Sequence, residues 1–405
     1  MMYAKILKLS KIASIMIVFF TLVSCASCNK NIESNNDTNS ESNVDTESNV
    51  DTESKPATID KFSLINGIGQ KLLIGVAVSS YELSSDMTAR ALIKDQFNSI
   101  VAENCMKSEV IHPEENRYDW TEADKFVNFG VENNKFIIGH CLIWHSQLAP
   151  WFCVDENGNN VSAAVLKQRI KDHITTIMTR YKGKIKAWDV VNEAVIWTGV
   201  YRDSKFYQIL GEEFVPYAFK CAHEADPDAE LYYTDYQLYI PAKRATVLKL
   251  VQSIKDYPGA KIDGIGYQCH FYMDKPSVDE LQTTIDALAA TGCKVMATEF
   301  DLSALPMPDD VSGAGIEQAS KYSDLYNPYP LSITDEAQTA WNVRIKSIFD
   351  VFLANPKTFT RVTVWGLTDK YSWKNNWPIP GRTDYATLFD RNYEPKEFTS
   401  TLMKN

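Results

Sequence analysis

The chain has 405 residues, a formal net charge of −11 and 45% hydrophobic residues, a composition typical of a globular protein with a large core. The acidic balance and the lack of a basic stripe exclude a nucleic-acid partner, because the protein would repel phosphate. The composition also excludes collagen, a coiled coil and a polytopic membrane protein. An acidic domain with 9 Trp, 20 Tyr and 18 Phe suits a neutral polymer such as a carbohydrate.

The N-terminus has the pattern of an export signal. Lys5, Lys8 and Lys11 precede the apolar run IASIMIVFFTLVS, which is too short to span a bilayer comfortably and is typical of a signal-peptide core. The run ends in LVSC at Cys25, which resembles a bacterial lipobox. This resemblance implies a signal peptide at 1–24, lipidation of Cys25 and a cell-envelope or cell-surface lipoprotein. A plain secretory signal with an incidental cysteine is the alternative.

Residues 25–60 form an acidic stretch rich in Ser, Asn and Thr. The unit ESNVDT occurs twice in tandem, at 41–46 and 47–52. A stretch with few apolar residues and many like charges cannot offset the entropy cost of ordering. We therefore predict a disordered tether that holds the domain formed by 61–405 away from a membrane, which the protein contacts only through its lipid anchor.

From residue 71 onward, short apolar runs rich in β-forming residues alternate with helical patterns such as VDELQTTIDALAATG. Eight such runs predict parallel strands joined by right-handed crossovers. A closed (β/α)8 TIM barrel in a single catalytic domain fits best. An open doubly wound sheet is the alternative, but it lacks a Gly-rich phosphate loop. The strand candidates are LLIGVAV, SIVAEN, FIIGHCLIW, IKAWDVVNEA, ELYYTDY, IDGIGYQCH, KVMATEFDL and RVTVWGL.

The cysteines of the main domain suggest no cofactor. Their spacing fits neither a zinc site nor a pair of CxxC motifs, and we predict no metal and no organic cofactor. Most of them lie in or beside apolar runs, where cysteine usually acts as a small buried hydrophobe. An exported protein permits disulfides, but the sequence does not reveal a pairing. These cysteines are Cys105, Cys141, Cys153, Cys221, Cys269 and Cys293.

Polar and aromatic side chains cluster at the carboxyl ends of the predicted strands. In a barrel all strand ends surround one mouth, where active sites lie. Residues scattered over the chain would therefore converge on one cleft. They are Glu103, Asn104, His140, Trp144, Asn192, Glu193, Gln268, His270, Glu299, Asp301 and Trp365.

Two glutamates account for the predicted chemistry. Glu193 lies in WDVVNEA and Glu299 in MATEFDL. A carboxyl in an apolar, aromatic setting has a raised pKa and can donate a proton near neutral pH. A second carboxylate can attack an anomeric carbon, and such a pair about 5–5.5 Å apart hydrolyses a glycoside with retention. A structural salt bridge would explain one strand-end glutamate, but it explains two beside His, Asn, Lys and Trp poorly.

These motifs together resemble glycoside hydrolase family 10, the retaining endo-β-1,4-xylanases. The resemblance covers about residues 61–405. It implies that the partners are xylan and xylo-oligosaccharides and that no cofactor is needed, and we expect a monomer. The blocks, in chain order, are SIVAENCMK, GHCLIWHSQL, WDVVNEA, EADPDAELYYTDY, IDGIGYQCHF, ATEFDL and VWGLTDKYSW.

The resemblance also implies a role for each site residue. Glu193 would be the general acid/base and Glu299 the nucleophile, while Asn192 would bind the 2-hydroxyl of the sugar at the cleaved bond. His270 would link Glu299 to the supporting Asp301. The other predicted substrate contacts are Glu103, Asn104, Lys107 and His140 on the glycone side, Trp144 and Gln147 in the same wall, Tyr236 near the aglycone, Gln268 near the nucleophile, and Trp365 and Trp373 as aromatic cover.

Three stretches depart from the family pattern. Ser108 follows the MK pair, where the family commonly has Trp, and TDYQ at 234–237 replaces the usual NDYN. The stretch 303–340 is long and rich in Pro and Asp, which predicts an enlarged loop over the cleft. These departures affect fine specificity and leave the reaction class unchanged.

Two other functions are open alternatives. A non-catalytic glycan-binding envelope lipoprotein on a decayed barrel would be expected to lose one glutamate, whereas both are present. A β-1,4-glucanase or aryl-glycosidase on the same barrel would keep the glutamates, but usually not Lys107 together with His140. Product analysis on xylan, mixed-linkage glucan and carboxymethylcellulose separates these cases.

Overall fold

A computed structural model of the chain describes residues 62–307 and 324–404. All of these residues fall within the unit Ile59–Asn405. The predicted signal peptide, Cys25, the tether and the central part of the predicted 303–340 loop lie outside the described residues. Within the described part, no helix is long and apolar enough to cross a membrane.

Eight parallel strands form a closed barrel. They are β1 (Leu73–Val78), β2 (Ser99–Ala102), β3 (Phe136–Ile143), β4 (Ala187–Asn192), β5 (Glu230–Asp235), β6 (Gly264–Tyr267), β8 (Lys294–Ser303) and β9 (Phe359–Val364), with a short β7 (His270–Tyr272) between β6 and β8. Strands β1 to β6 pair in sequence, β6 pairs with β8, and β9 pairs with both β8 and β1. The (β/α)8 barrel predicted from the sequence is therefore confirmed.

The predicted run IDGIGYQCH is wrong as a single strand. It divides into β6 and β7 because Cys269 has a φ of +62°, a left-handed conformation that an extended strand cannot contain. Strand β7 pairs with the end of β8, where His270 lies opposite Asp301. The break therefore brings His270 beside the strand that carries Glu299.

Helices connect the strands and surround the barrel. Side-chain caps begin several of them: the Ser162 hydroxyl accepts a hydrogen bond from the Val165 N–H, and Ser277 forms a capping box with Glu280. The helices are α1 (Ser80–Ser84), α2 (Met87–Gln96), α3 (Ser108–Ile111), α4 (Thr121–Glu132), α5 (Ala163–Arg180), α6 (Lys205–Leu210), α7 (Phe214–Ala225), α8 (Pro241–Asp256), α9 (Val278–Ala289), α10 (Asp335–Ala354) and α11 (Glu397–Leu402).

The barrel interior is filled by side chains. Its apolar cluster contains Ile138, Tyr232 and Met296, together with Trp365, which directly follows β9. These side chains pack closely against the Gly264 backbone, where a Cβ would lie 2.6 Å from the end of the Met296 side chain and 2.8 Å from the Tyr232 ring. The barrel is consequently a packed core without a channel, and a substrate can bind only at its mouth.

The six cysteines of the main domain are all buried and free. This agrees with their predicted behaviour as small hydrophobic residues, and no disulfide bond is present in the described part of the barrel.

Candidate active site

Glu193 follows the last residue of β4 in a strained turn. Its φ is +58°, a conformation that costs energy for a residue other than glycine and is concentrated at functional sites. Its N–H donates to the Thr234 carbonyl at 2.9 Å, and Arg202 Nε donates to its carbonyl oxygen at 3.1 Å. The side chain is 16% exposed. The backbone is thus held on both sides while the carboxyl stays accessible at the barrel mouth.

Gln268 connects the two glutamates. Its Nε2 donates to Glu193 Oε1 and to Asn192 Oδ1, at 3.0 Å in each case. The backbone carbonyl of Gln268 accepts a hydrogen bond from the Glu299 N–H at 2.9 Å. Asn192 Oδ1 also accepts from Thr234 Oγ1 at 2.6 Å, so the oxygen of this amide is occupied and its N–H groups remain for a ligand. One residue therefore orients the carboxyl of Glu193 and the backbone of Glu299.

His270 lies between two carboxylates on β8. Its Nδ1 is 2.8 Å from Asp301 Oδ2 and its Nε2 is 3.3 Å from Glu299 Oε2. Burial alone would lower the pKa of His270, but Asp301, and after it Glu299, raise this pKa to about 9. Burial likewise opposes the ionisation of Asp301, yet His270 and Lys374 lower its pKa overall. At neutral pH His270 is therefore a cation that both carboxylates share.

The two oxygens of Glu299 have different surroundings. Oε2 faces His270, whereas Oε1 is buried and accepts no hydrogen bond from the described residues. The side chain is only 7% exposed. A carboxylate with one oxygen anchored to a cation and the other oxygen unpaired is arranged to act as a nucleophile.

Lys107 is the centre of the predicted glycone wall. Its ammonium donates to Gln147 Oε1 at 2.6 Å and to Asn104 Oδ1 at 2.8 Å, and it lies 4.8 Å from the ring centroid of Trp144. Glu103 comes directly after β2, and burial raises its pKa although the Lys107 charge opposes this. These side chains form a connected group of charges, amides and one indole.

The other predicted residues complete the mouth. His140 Nδ1 lies 2.9 Å from Asp189 Oδ2, and the His140 ring meets Trp365 edge-on with centroids 5.2 Å apart. Trp373 Nε1 donates to Asp301 Oδ2 at 2.8 Å. Arg202 Nη2 donates to the Tyr236 hydroxyl at 2.8 Å beside Glu193, so the predicted site residues that the structure describes lie in or beside this mouth.

The expected raised pKa of Glu193 is wrong for the substrate-free site. Burial does raise this pKa, but His145, Gln268, the nearby indole of Trp144 and Arg202 together lower it. Burial first, and Arg202 second, lower the pKa of His145 itself to about 4. Since His145 is uncharged at neutral pH, Arg202 is the cation that favours the Glu193 carboxylate there.

The sequence model of glycosyl hydrolase family 10 matches residues 63–405. The chain belongs to this family. It is 45% identical over 338 residues to endo-1,4-beta-xylanase A of Xylanibacter ruminicola, an alignment that covers 83% of this chain and 91% of the relative. It is 36% identical to endo-1,4-beta-xylanase B of Paenibacillus barcinonensis, with 83% and 96% covered.

Solved structures of the same family share the fold. A GH10 endoxylanase from a sugarcane soil metagenome superposes with a TM-score of 0.78 at 38% identity, covering 83% of this chain and 97% of the other. Xylanase XynB from Paenibacillus barcinonensis, complexed with a conduramine derivative, superposes with a TM-score of 0.76 at 35% identity, covering 84% and 98%.

Several residues of this family-10 site were missed by the sequence argument. Asp189 and His145 lie inside quoted blocks, next to predicted residues, and Lys374 directly follows Trp373. Arg202 lies outside every block, nine residues after Glu193, and only the folded loop brings its Nη2 to 4.0 Å from Glu193 Oε2. In the parts of the chain that the structure describes, no group of three His, Cys, Asp or Glu side chains is placed to hold a metal ion.

The contact between Arg202 and Glu193 predicts a change in pH dependence. In Arg202→Met the pKa of Glu193 should rise, because a cation that favours the carboxylate is removed. The basic limb of kcat/KM on xylan, which reports the pKa of the general acid in the free enzyme, should therefore move to higher pH. Arg202→Lys keeps a positive charge, so the basic limb of its pH profile should lie close to that of the wild type. An unchanged basic limb in Arg202→Met would show that Arg202 does not control the acid.

Proposed function

We propose that this protein hydrolyses β-1,4-xylosidic bonds within xylan as a retaining endo-xylanase. The observation that carries the proposal is the buried and unpaired Oε1 of Glu299, on a carboxylate anchored by His270 and connected through Gln268 to Glu193. The named xylanases at 36–45% identity support xylan as the substrate. The glutamate roles and the substrate contacts are assigned on the chemistry of these residues.

In the first step, Glu299 Oε1 attacks the anomeric carbon while the bond to the leaving-group oxygen breaks. Glu193 gives its proton to that oxygen, and an ester joins the sugar to Glu299. Glu193 must hold a proton at this moment, although its pKa is lowered in the free site. A bound sugar chain supplies the change, because it excludes water and so disfavours the carboxylate.

In the second step, a water molecule attacks the anomeric carbon while the ester bond to Glu299 breaks and frees its carboxylate, and Glu193 takes the proton of the water. The ester has removed the negative charge of Glu299, so the like charge that opposed a Glu193 carboxylate is absent. The low pKa that Arg202 and Gln268 impose on Glu193 then favours the base. Two displacements on one carbon restore the original β-configuration.

Specificity for xylose should come from the aromatic cover. Trp365 is 7% exposed and Trp373 is held to Asp301, so neither indole is free to withdraw from the mouth. Xylose has no hydroxymethyl group on C5, whereas glucose does, and this group would need room beside the two rings.

Xylo-oligosaccharides should consequently be preferred over cello-oligosaccharides of equal length. We expect kcat/KM to differ by about 100-fold, the scale on which a steric pocket discriminates. Product analysis of xylan beside mixed-linkage glucan and carboxymethylcellulose measures the same preference on polymers. Equal kcat/KM on the two oligosaccharide series would contradict the xylanase assignment and favour the glucanase alternative.

The two glutamates should respond differently to removal. Glu299→Ala should be inactive on every substrate, because no glycosyl-enzyme can form. Glu193→Ala should hydrolyse xylan at a very low rate, because the leaving group of xylan needs a proton. An aryl β-xylobioside with a good leaving group needs little acid help, so the intermediate should accumulate and added azide should restore turnover as a β-glycosyl azide.

The anomeric form of the azide product decides the assignment. An α-glycosyl azide from Glu193→Ala would mean that the two roles are exchanged. Equal loss on both substrates without any azide effect would reduce Glu193 to a structural residue, and the proposed mechanism would fail.

We also propose that the enzyme is a monomeric, exported lipoprotein attached through Cys25. The supporting feature is the LVSC sequence after an apolar core with three preceding lysines. Multiple acyl chains would anchor the protein stably, since each buried CH₂ contributes about 0.8 kcal/mol.

Replacement of the lipidation residue tests the anchor. Cys25→Ser should move the protein from the detergent phase to the aqueous phase or leave it unprocessed, because the thiol that would carry the lipid is missing. Cys28→Ser, three residues further on, is the matched control and should partition like the wild type. Unchanged detergent partitioning of Cys25→Ser would refute lipid attachment at this position.

A further inference from the structure

A short hairpin directly follows Glu193 in the chain. Its strands are joined by a hydrogen bond from the Arg202 N–H to the Ala194 carbonyl at 2.8 Å and by the antiparallel bridge between Val195 and Tyr201. The turn itself is closed from the Ile196 N–H to the Val200 carbonyl at 2.9 Å. We call residues 194–202 the β4 hairpin.

The β4 hairpin is anchored at its base and at its tip. At the base, the Val195 N–H donates to Asp235 Oδ2 at 3.3 Å, and Val195 is fully buried. At the tip, Thr246 Oγ1 of α8 donates to the Gly199 carbonyl at 2.6 Å. Gly199 has a φ of +84°, and a Cβ there would lie 2.7 Å from the Ala242 carbonyl oxygen. The hairpin is therefore held against the start of α8.

The tip of this anchored hairpin exposes a large aromatic ring. Trp197 is 56% exposed and Val200 is 55% exposed, while the intervening Thr198 and Gly199 carry no charge. In the described structure the Trp197 ring stacks on no other aromatic ring and lies under no cation. Since exposing an indole has no structural benefit here, a ligand that covers it would be stabilised by the buried apolar area.

The position of the hairpin determines which part of a substrate could reach Trp197. The glycone wall around Lys107 is built by the segments that follow β2 and β3, whereas Glu193 must face the leaving group. The β4 hairpin leans in the opposite direction, toward α8 after β5, and Arg202 at its base also donates to the Tyr236 hydroxyl at 2.8 Å. Trp197 is four residues beyond Glu193, and four residues span at most roughly 13 Å, so the hairpin tip is within reach of sugars on the aglycone side of the cleaved bond.

We propose that Trp197 is a specificity-determining platform for a distal aglycone sugar of the chain. The flat, uncharged face of a β-1,4-linked pyranose stacks on the indole. Xylose can stack closely because it has no hydroxymethyl group that would hold its ring away from the indole. This inference rests on the proposed xylanase function. It assigns to Trp197 the binding of long chains and no part in bond cleavage.

The test compares substrates that reach Trp197 with one that does not. Trp197→Ala should lower kcat/KM on xylohexaose about tenfold, the loss typical of a central tryptophan contact, and Trp197→Phe should retain most of the activity. An aryl β-xylobioside has no distal aglycone sugar and should be turned over at the wild-type rate by both variants. Val200→Ala, with equal exposure on the same hairpin, should leave both substrates unaffected.

The cleavage pattern gives a readout that a structural defect would not change. On end-labelled xylohexaose, Trp197→Ala should cut closer to the reducing end than the wild type, because fewer sugars are held on the aglycone side. Equal losses on xylohexaose and the aryl xylobioside, or an unchanged cleavage pattern, would overturn the proposal. Wild-type preference for cellohexaose would instead defeat the xylanase assignment, and the same comparison with an aryl cellobioside would then test the platform.

Discussion

The protonated His270 between Glu299 and Asp301 is the interaction on which the rest of the site depends. Both carboxylates lie on β8, almost entirely buried, and would repel each other without a cation between them. Lys374 adds a second positive charge 3.3 Å from Asp301, and Trp373 donates to the same carboxylate. Because an uncompensated buried charge is costly, this arrangement holds the charge of Glu299 in place and still leaves one of its oxygens unpaired.

The topology of the barrel explains how this cation reaches its position. Strand β6 ends at Tyr267, and after the left-handed Cys269 the separate short strand β7 runs along the end of β8. With the break, Gln268 contacts Glu193 and His270 contacts Glu299, and only Cys269 separates these two residues in the chain.

Much of this arrangement could be predicted from the sequence because strand ends in a barrel converge. The apolar runs located all eight barrel strands, and the polar residues at their carboxyl ends include both glutamates. The break at Cys269 could not be predicted, since no Gly or Pro marks it. The lowered pKa of Glu193 was missed because its causes, His145, Gln268, the Trp144 indole and Arg202, come from separate parts of the chain and meet only in the folded barrel.

The β4 hairpin joins catalysis and specificity in one element. Arg202 at its base contacts the Glu193 backbone and Tyr236, while its tip presents Trp197 about four residues beyond the acid. The charge that controls proton transfer and the surface proposed for long chains thus share one anchored segment.

The anomeric configuration of the first product tests the central claim most directly. Proton NMR of xylohexaose hydrolysis, recorded before mutarotation, should show the β-anomer of the new reducing end first, because attack by Glu299 and then by water inverts the same carbon twice. Initial appearance of the α-anomer would mean a single displacement by water, which would contradict a nucleophilic Glu299 and the function assigned to its unpaired oxygen.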